Sequence, residues 1–274
     1  MKKLVSVLLA LLLTLSLVPA LAEDCTIVAT PSPHAEILDL IKDDLKAAGY
    51  DVNVLVVTDY VTENPAVAGG DAIANFFQHI PYLAQYNETA AEGDKLVGVV
   101  PTHFEPMAIY AGTKDSLEAV TDGDKVAIPN DPTNMTRALL LLQDAGLIKL
   151  PEDTTLESVV TKEDIVENEK NLEIIEANAE QIPGLRQDVA LAVINGNNAA
   201  LVELSPTRDG VYAETKDSQA AAAYVNLFAV RPENADSDFV KALEKAVYTQ
   251  KVYDLIVERG FVPTFTVEDA EAAE

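Results

Sequence analysis

The sequence predicts an α/β protein folded as two lobes around a ligand cleft. Short apolar runs alternate with helix-period segments from residue 25 onward, the pattern of βαβ units and a parallel sheet. The alternation occurs twice, over residues 23–108 and again over 109–223, with extended stretches between. A strand-like run at 224–230 and two amphipathic helices follow, so residues 224–266 read as a return to the first lobe. Two lobes joined by extended segments leave a cleft that can close on a small molecule.

Residues 1–22 read as a targeting segment. Lys2 and Lys3 make a basic start, an apolar run follows, and Ala20-Leu21-Ala22 is an A-x-A cleavage site. Export to the cell envelope, outside the cytoplasmic membrane, is therefore expected. The remaining 252 residues suffice for two lobes with proper cores. No later run approaches the roughly 20 apolar residues of a membrane span.

The formal charge is −26, and −28 once Lys2 and Lys3 are gone. A field of that sign repels phosphate backbones and argues against nucleic-acid binding and anionic membrane surfaces. The single cysteine, Cys25, rules out an internal disulfide. A lipoprotein signal needs a small residue directly before its cysteine, whereas Glu23 and Asp24 stand there. The expectation is cleavage after Ala22, with Cys25 opening a strand rather than carrying a lipid. The acidic, Ala-rich tail at 267–274 is expected to be disordered.

Taken in order, residues 25–29 read as a buried strand broken by Pro31 and Pro33. A helix to Ala48 carries Ile37, Leu38, Ile41 and Leu45 at helical spacing, and Gly49 ends it. Residues 52–57 are the second strand, 64–70 a short helix and 72–75 a third strand, with Pro81 opening another helix. Residues 95–100 are strand-like, and 106–111 read as an extended connection. In the second series, strands are expected at 125–128, 172–176 and 188–194, with a helix at 195–201. Residues 150–171 form a polar surface excursion and 219–223 a loop or short turn. Closing helices are placed at 237–248 and 252–260.

Two stretches carry chemistry. In Lys125-Val126-Ala127-Ile128-Pro129-Asn130-Asp131-Pro132-Thr133-Asn134-Met135-Thr136-Arg137, a strand feeds a polar turn and then a helix capped by Thr133 or Asn134. Four leucines follow, so the helix is apolar all round and buried. Its N-terminus offers free N–H groups and a positive dipole end to an anion. Arg137 sits in that first turn, at the unfavourable end for a cation. Two readings stand: an Asp131–Arg137 pair that staples the turn, or a guanidinium gripping a ligand carboxylate through two parallel hydrogen bonds.

In Asn75-Phe76-Phe77-Gln78-His79-Ile80-Pro81-Tyr82, three of the chain's 16 Phe and Tyr crowd around a histidine at a strand end. Such strand ends are where open α/β sheets hold ligands. The cluster reads either as core packing or as an aromatic wall for an apolar or thioether side chain. The histidines, His34, His79 and His103, have no metal-ligand spacing; His34 after Pro33 caps a helix, lines the cleft or, like His103, is a surface residue, the reading preferred for both. Nucleophile elbow, P-loop and dinucleotide motifs are absent from the sequence; no catalytic residue, cofactor or metal is expected. Asn195 caps a helix or lines the cleft. Asn226, inside an apolar strand, bridges strands or accepts from a ligand ammonium.

Several separated motifs together resemble one family. They are Pro33-His34-Ala35-Glu36-Ile37-Leu38, Asp59-Tyr60-Val61-Thr62-Glu63-Asn64, Asn75 to Leu83, Val126 to Asn134, Arg137 to Gln143, Ala192-Val193-Ile194-Asn195 and Tyr224-Val225-Asn226-Leu227. In that order they resemble the NlpA/MetQ-type methionine-binding solute receptors, the exported component of ABC importers. The resemblance implies a two-lobed periplasmic-binding-protein fold of type II. It implies that Tyr60, Phe77, His79 and Tyr82 enclose a thioether, that Arg137 with Asn134 takes a carboxylate, and that Asn195 and Asn226 hold an ammonium. It implies L-methionine or a close derivative as ligand, and the permease and ATPase subunits of an ABC importer as partners of a monomeric receptor. The alternatives are an exported enzyme on the same scaffold, or a receptor for another amino acid or short peptide. The chain departs from the family where Gly196-Asn197-Asn198-Ala199 replace an aromatic after Asn195, and where Gln181-Ile182-Pro183-Gly184 lacks an arginine after the proline.

Overall fold

The computed structural model describes residues 22–266. The targeting segment through residue 21 and the tail at 267–274 lie outside the described residues. Two sheets are present, each flanked by helices.

The first sheet begins with β1 (Glu23–Ala29), followed by α1 (Glu36–Ala47) and β2 (Tyr50–Val56). Next come α2 (Glu63–Ala68), β3 (Ala74–His79), α3 (Ile80–Thr89) and β4 (Val97–Phe104). The chain then enters the second sheet with β5 (Ala108–Ala111), β6 (Lys125–Pro129), α4 (Pro132–Asp144), β7 (Glu173–Ala177) and α5 (Ile182–Leu185). This series ends with β8 (Leu191–Ile194), α6 (Gly196–Ala200), α7 (Pro206–Asp209), β9 (Gly210–Ala213) and α8 (Gln219–Ala223). It returns through β10 (Val225–Val230), α9 (Asp238–Val247), α10 (Gln250–Glu258) and β11 (Val262–Pro263). The strand orders are β11-β4-β10-β3-β1-β2 and β7-β6-β8-β5-β9.

The sheets are mixed rather than wholly parallel as expected. β1 runs parallel to β2 and β3, and β6 parallel to β7 and β8. β10 is antiparallel to β3 and β4, and β5 antiparallel to β8 and β9. The reason is topological. Parallel strands need long crossovers and end on one side of their sheet. β5 and β10 each arrive from the other sheet across that same side, so they run the opposite way. The ends of β3, β4, β6 and β8 and the start of β10 therefore gather in the cleft.

Other boundaries moved for local reasons. The third strand is Ala74–His79, not 72–75, because all six residues are buried and all but Phe77, which sits at a bulge, pair with β1 or β10. Residues expected to form an extended connection at 106–111 contain β5, paired on both sides. The 219–223 run is the short helix α8. α4 is capped by Asp131, whose side chain accepts from the Asn134 N–H, not by Thr133 or Asn134. With Pro132 fixed at the first helical position, the residue before it takes the extended cap conformation.

Each sheet has its own core. Ile37, Leu38, Ile41 and Leu45 of α1 pack with Phe76, Phe228, Phe239, Leu243 and Ile256. Phe76 stacks on Phe228 with centroids 3.9 Å apart. On the other side, Leu139 and Leu142 of α4 pack with Ile109, Val126, Ile128, Leu191 and Val193. Fully burying one such side chain contributes about 1.5–3 kcal/mol. These cores make each half a rigid wall.

Candidate functional site

The first wall is aromatic. β3 ends at His79, whose Nδ1 accepts from the Tyr82 N–H at 3.2 Å and so caps α3. That bond sets the tautomer and leaves the proton on Nε2, which donates to Asn134 Oδ1 across the cleft at 3.1 Å. Burial, and secondarily Arg137, lower the His79 pKa to about 3, so the ring is neutral. Phe77 and Tyr82 meet edge to face at 5.5 Å, and Tyr60 lies 5.9 Å from Phe77 and 6.1 Å from Tyr82. The Tyr82 hydroxyl donates to the Tyr60 carbonyl at 2.8 Å. Below them, Asn64, Asn75 and Gln78 are joined by amide hydrogen bonds.

The opposite wall is polar. The side chain of Asn134, 1% exposed, donates to Asp131, and Asn195 Nδ2 donates to Asn134 Oδ1 at 2.8 Å. Arg137 is 3% exposed. Its Nε donates to Glu214 Oε1 at 2.8 Å, and its Nη2 donates to Glu214 Oε2 and to the Glu105 carbonyl. The guanidinium also lies 4.2 Å from the Tyr224 ring centroid. Burial pulls the Arg137 pKa down, but the Glu214 carboxylate outweighs it and holds the cation. Arg137 Nη1 makes no hydrogen bond among the described residues.

This corrects one sequence reading. Asp131 does not staple Arg137; it caps the helix, and Glu214 takes the guanidinium edge instead. A second correction concerns His34 and His103, read as surface residues. Both are fully buried. His34 Nδ1 bonds the Thr30 hydroxyl at 2.7 Å, and its Nε2 lies 3.1 Å from Asn226 Oδ1. His103 Nε2 donates to Glu105 Oε1 at 2.9 Å. Burial lowers the His34 pKa to about 4 and that of His103 to about 3. The ligating atoms of His34, His103 and Glu105 lie within 4.8 Å of one another. His103 Nδ1 is buried without a partner among the described residues, so the acceptor that usually orients a metal-bound imidazole is missing.

All eight residues singled out from the sequence, Tyr60, Phe77, His79, Tyr82, Asn134, Arg137, Asn195 and Asn226, line one small cavity of about 20 Å³. Gln78, Glu105, Gly196 and Asn197 complete it. The walls are tied together by Tyr60, whose hydroxyl donates to Asn197 Oδ1 at 2.7 Å and accepts from Asn198 Nδ2 at 2.8 Å. So Asn197 and Asn198, which stand where the family resemblance led one to expect an aromatic, grip an aromatic from the other wall. A wider cleft of about 1190 Å³ adjoins at Arg137 and Glu214.

Sequence reasoning missed Glu105, Glu214 and Asn197. Glu105 occupies the three-residue crossing between β4 and β5, which read as mere connection. Gly196 follows from the same crossing: a Cβ there would lie 2.9 Å from Glu105 Cβ and 2.9 Å from Phe261. A glycine directly after Asn195 was the available signal of a close approach.

A small cavity between two α/β lobes, aromatic on one side and charged on the other, defines a two-lobed solute-binding protein of the periplasmic type. The chain belongs to the NlpA lipoprotein family, whose model matches residues 25–265. It is 45% identical over 208 residues, 75% of this chain and 74% of the relative, to the D-methionine-binding lipoprotein MetQ of Salmonella typhi. It is 42% identical over 230 residues, 83% of this chain and 81% of the relative, to the protein of that name from Escherichia coli K12. A nutrient binding protein from Burkholderia cenocepacia, solved bound to methionine, superposes with a TM-score of 0.81 at 36% identity, covering 88% of this chain and 100% of that one.

Proposed function

We propose that this protein captures methionine outside the cytoplasmic membrane and hands it to the permease and ATPase subunits of an ABC importer. The observation that carries the reading is the joint placement of the aromatic wall and Arg137 on one small cavity. In this reading Tyr60, Phe77, His79 and Tyr82 surround the thioether, where sulfur against ring edges contributes about 0.3–1.5 kcal/mol each. Arg137 meets the ligand carboxylate through Nη1, because Glu214 holds its other edge. Asn134 supports it, while Asn195 and Asn226 face the ammonium.

The ligand enters by separation of the walls and is retained when they close, the Tyr60 contacts re-forming across the gap. No bond is made or broken in such a protein; the closed form is what the permease recognises. The lobe limits at 23–108 with 224–266 and at 109–223 belong to the same proposal, and the strand memberships of the two sheets support them except at Ala108, which opens β5 in the second sheet.

The matched relatives are named as methionine-binding lipoproteins, which supports the ligand class and a cell-envelope location. No helix among the described residues is long and apolar enough to cross a membrane. Export would rest on the 1–22 segment.

Calorimetry with D- and L-methionine, alanine, leucine and a methionine-containing dipeptide tests the reading. Methionine is expected to bind in the micromolar range or tighter, and at least tenfold better than alanine. Equal affinity for alanine and methionine would reject the aromatic wall as a thioether site. Native mass spectrometry of the purified protein would reveal a retained ligand directly.

A further inference from the structure

We infer that Glu105 is the counter-charge for the ligand's ammonium, so that the cavity selects an amino acid over its desamino analogue. This rests on the reading of the cavity as an amino-acid site. Four observations carry it.

Glu105 is 6% exposed and lines the cavity. Its Oε2 accepts from the Asn197 N–H at 3.0 Å and its Oε1 from His103 at 2.9 Å. Among the described residues its side chain has no cationic partner. The imidazoles beside it, His34 at 3.4 Å and His103, are neutral at ordinary pH. The one guanidinium within reach, Arg137, takes the Glu105 backbone carbonyl and is matched in charge by Glu214.

On the same cavity, Asn195 Oδ1 is buried and accepts no hydrogen bond among the described residues. Asn226 also lines the cavity, and its Oδ1 has His34 Nε2 as its one hydrogen-bond partner among the described residues. The corner thus holds a carboxylate and two amide oxygens, all acceptors. A primary ammonium presents three N–H donors and one positive charge, which meets all three needs at once. Burial raises the Glu105 pKa, opposed by His34, the Asn197 N–H and Arg137, and a ligand ammonium against the carboxyl would favour its charged form.

The test compares methionine with its desamino analogue, 4-(methylthio)butanoate, by calorimetry on wild type and Glu105→Gln. Wild type is expected to prefer methionine by about 100-fold or more. The glutamine variant should lose about 10- to 100-fold for methionine and less than threefold for the analogue, so that the preference collapses. Thermal unfolding and the analogue's retained affinity report that the variant is folded. A wild type that binds the analogue within threefold of methionine would overturn the assignment with no variant needed. Methionine affinity unchanged in Glu105→Gln would overturn it too, leaving the amino-acid reading intact. If no amino acid of the panel binds wild type, the reading of the cavity fails and the Glu105 role falls with it. Loss of methionine binding on adding a chelator would assign the cluster to a metal cation instead and overturn the proposal.

Discussion

Arg137 and Glu214, 77 residues apart, meet along one edge of the guanidinium, Nε to Oε1 at 2.8 Å, with both side chains nearly out of solvent. The pair turns an arginine at the wrong end of a helix dipole into a neutral fixture with one nitrogen, Nη1, free of hydrogen bonds among the described residues. Glu214 lies just beyond β9 and also accepts from the Met107 N–H at 2.7 Å, so it fixes the chain crossing as well.

Breaking a buried pair from one side strands the other charge, at about 3–5 kcal/mol. Glu214→Ala and Arg137→Ala are each expected to destabilise by that order in denaturant titration. The double variant should recover much of the stability, and neither it nor Arg137→Ala should bind methionine. Methionine affinity surviving in the double variant would remove Arg137 from the carboxylate role.

Tyr60→Phe removes the hydroxyl that bridges the walls to Asn197 and Asn198. Each lost hydrogen bond is worth about 1 kcal/mol. Stopped-flow kinetics should show faster methionine release, about 5- to 30-fold, with association little changed. An unaltered release rate would mean that the bridge does not hold the closed form.

Gly196→Ala places a methyl group against Glu105 Cβ and Phe261, both within 2.9 Å. Overpacking of this kind costs about 1–3 kcal/mol. Because the displaced neighbour is Glu105, methionine affinity should fall together with the melting temperature. A variant that melts early yet binds normally would show that the approach is structural alone.

Glu63 is fully buried, and neither of its carboxylate oxygens has a partner among the described residues. Burial, and secondarily Asp59, raise its pKa well above the ordinary carboxylate value. A raised folded-state pKa means its contribution is present at low pH and lost as pH rises through that pKa. Glu63→Gln should therefore raise the melting temperature at pH 7.5, with a gain that shrinks on acidification. His34 and His103 act in the opposite sense. Their pKa values, lowered by burial to about 4 and about 3, make wild-type stability fall as pH drops below about 6.5. Melting curves from pH 7.5 to 4 check both slopes.

Cys25 pairs with Val52 inside β1, two residues after the strand begins at Glu23, and burial pushes its thiol up to about 11. Cleavage directly before Cys25 would remove two paired residues. Intact mass of the exported protein is expected to start at Glu23 with a free thiol; a diacylglyceryl adduct would contradict this.

The two α/β series, the aromatic cluster at Phe77 and Tyr82, and the odd placement of Arg137 were legible in the chain itself. Each rests on local chemistry: strand and helix period, proline and glycine punctuation, and a cation where the dipole opposes it. The helix cap was misplaced by a few positions because Asp131, Thr133 and Asn134 are all competent caps. Only the extended conformation imposed before Pro132 selects among them.

What the sequence determined alone is therefore the alternation that builds two half-molecules and the residue types that surround a small ligand. Tertiary structure decided which acids among 45 matter. Glu214 and Glu105 carry no local mark. They become partners of Arg137 and of the cavity only because strands that cross between lobes enter both sheets from the cleft side. That crossing brings together charges distant in the chain and removes them from water, where each must find a counterpart.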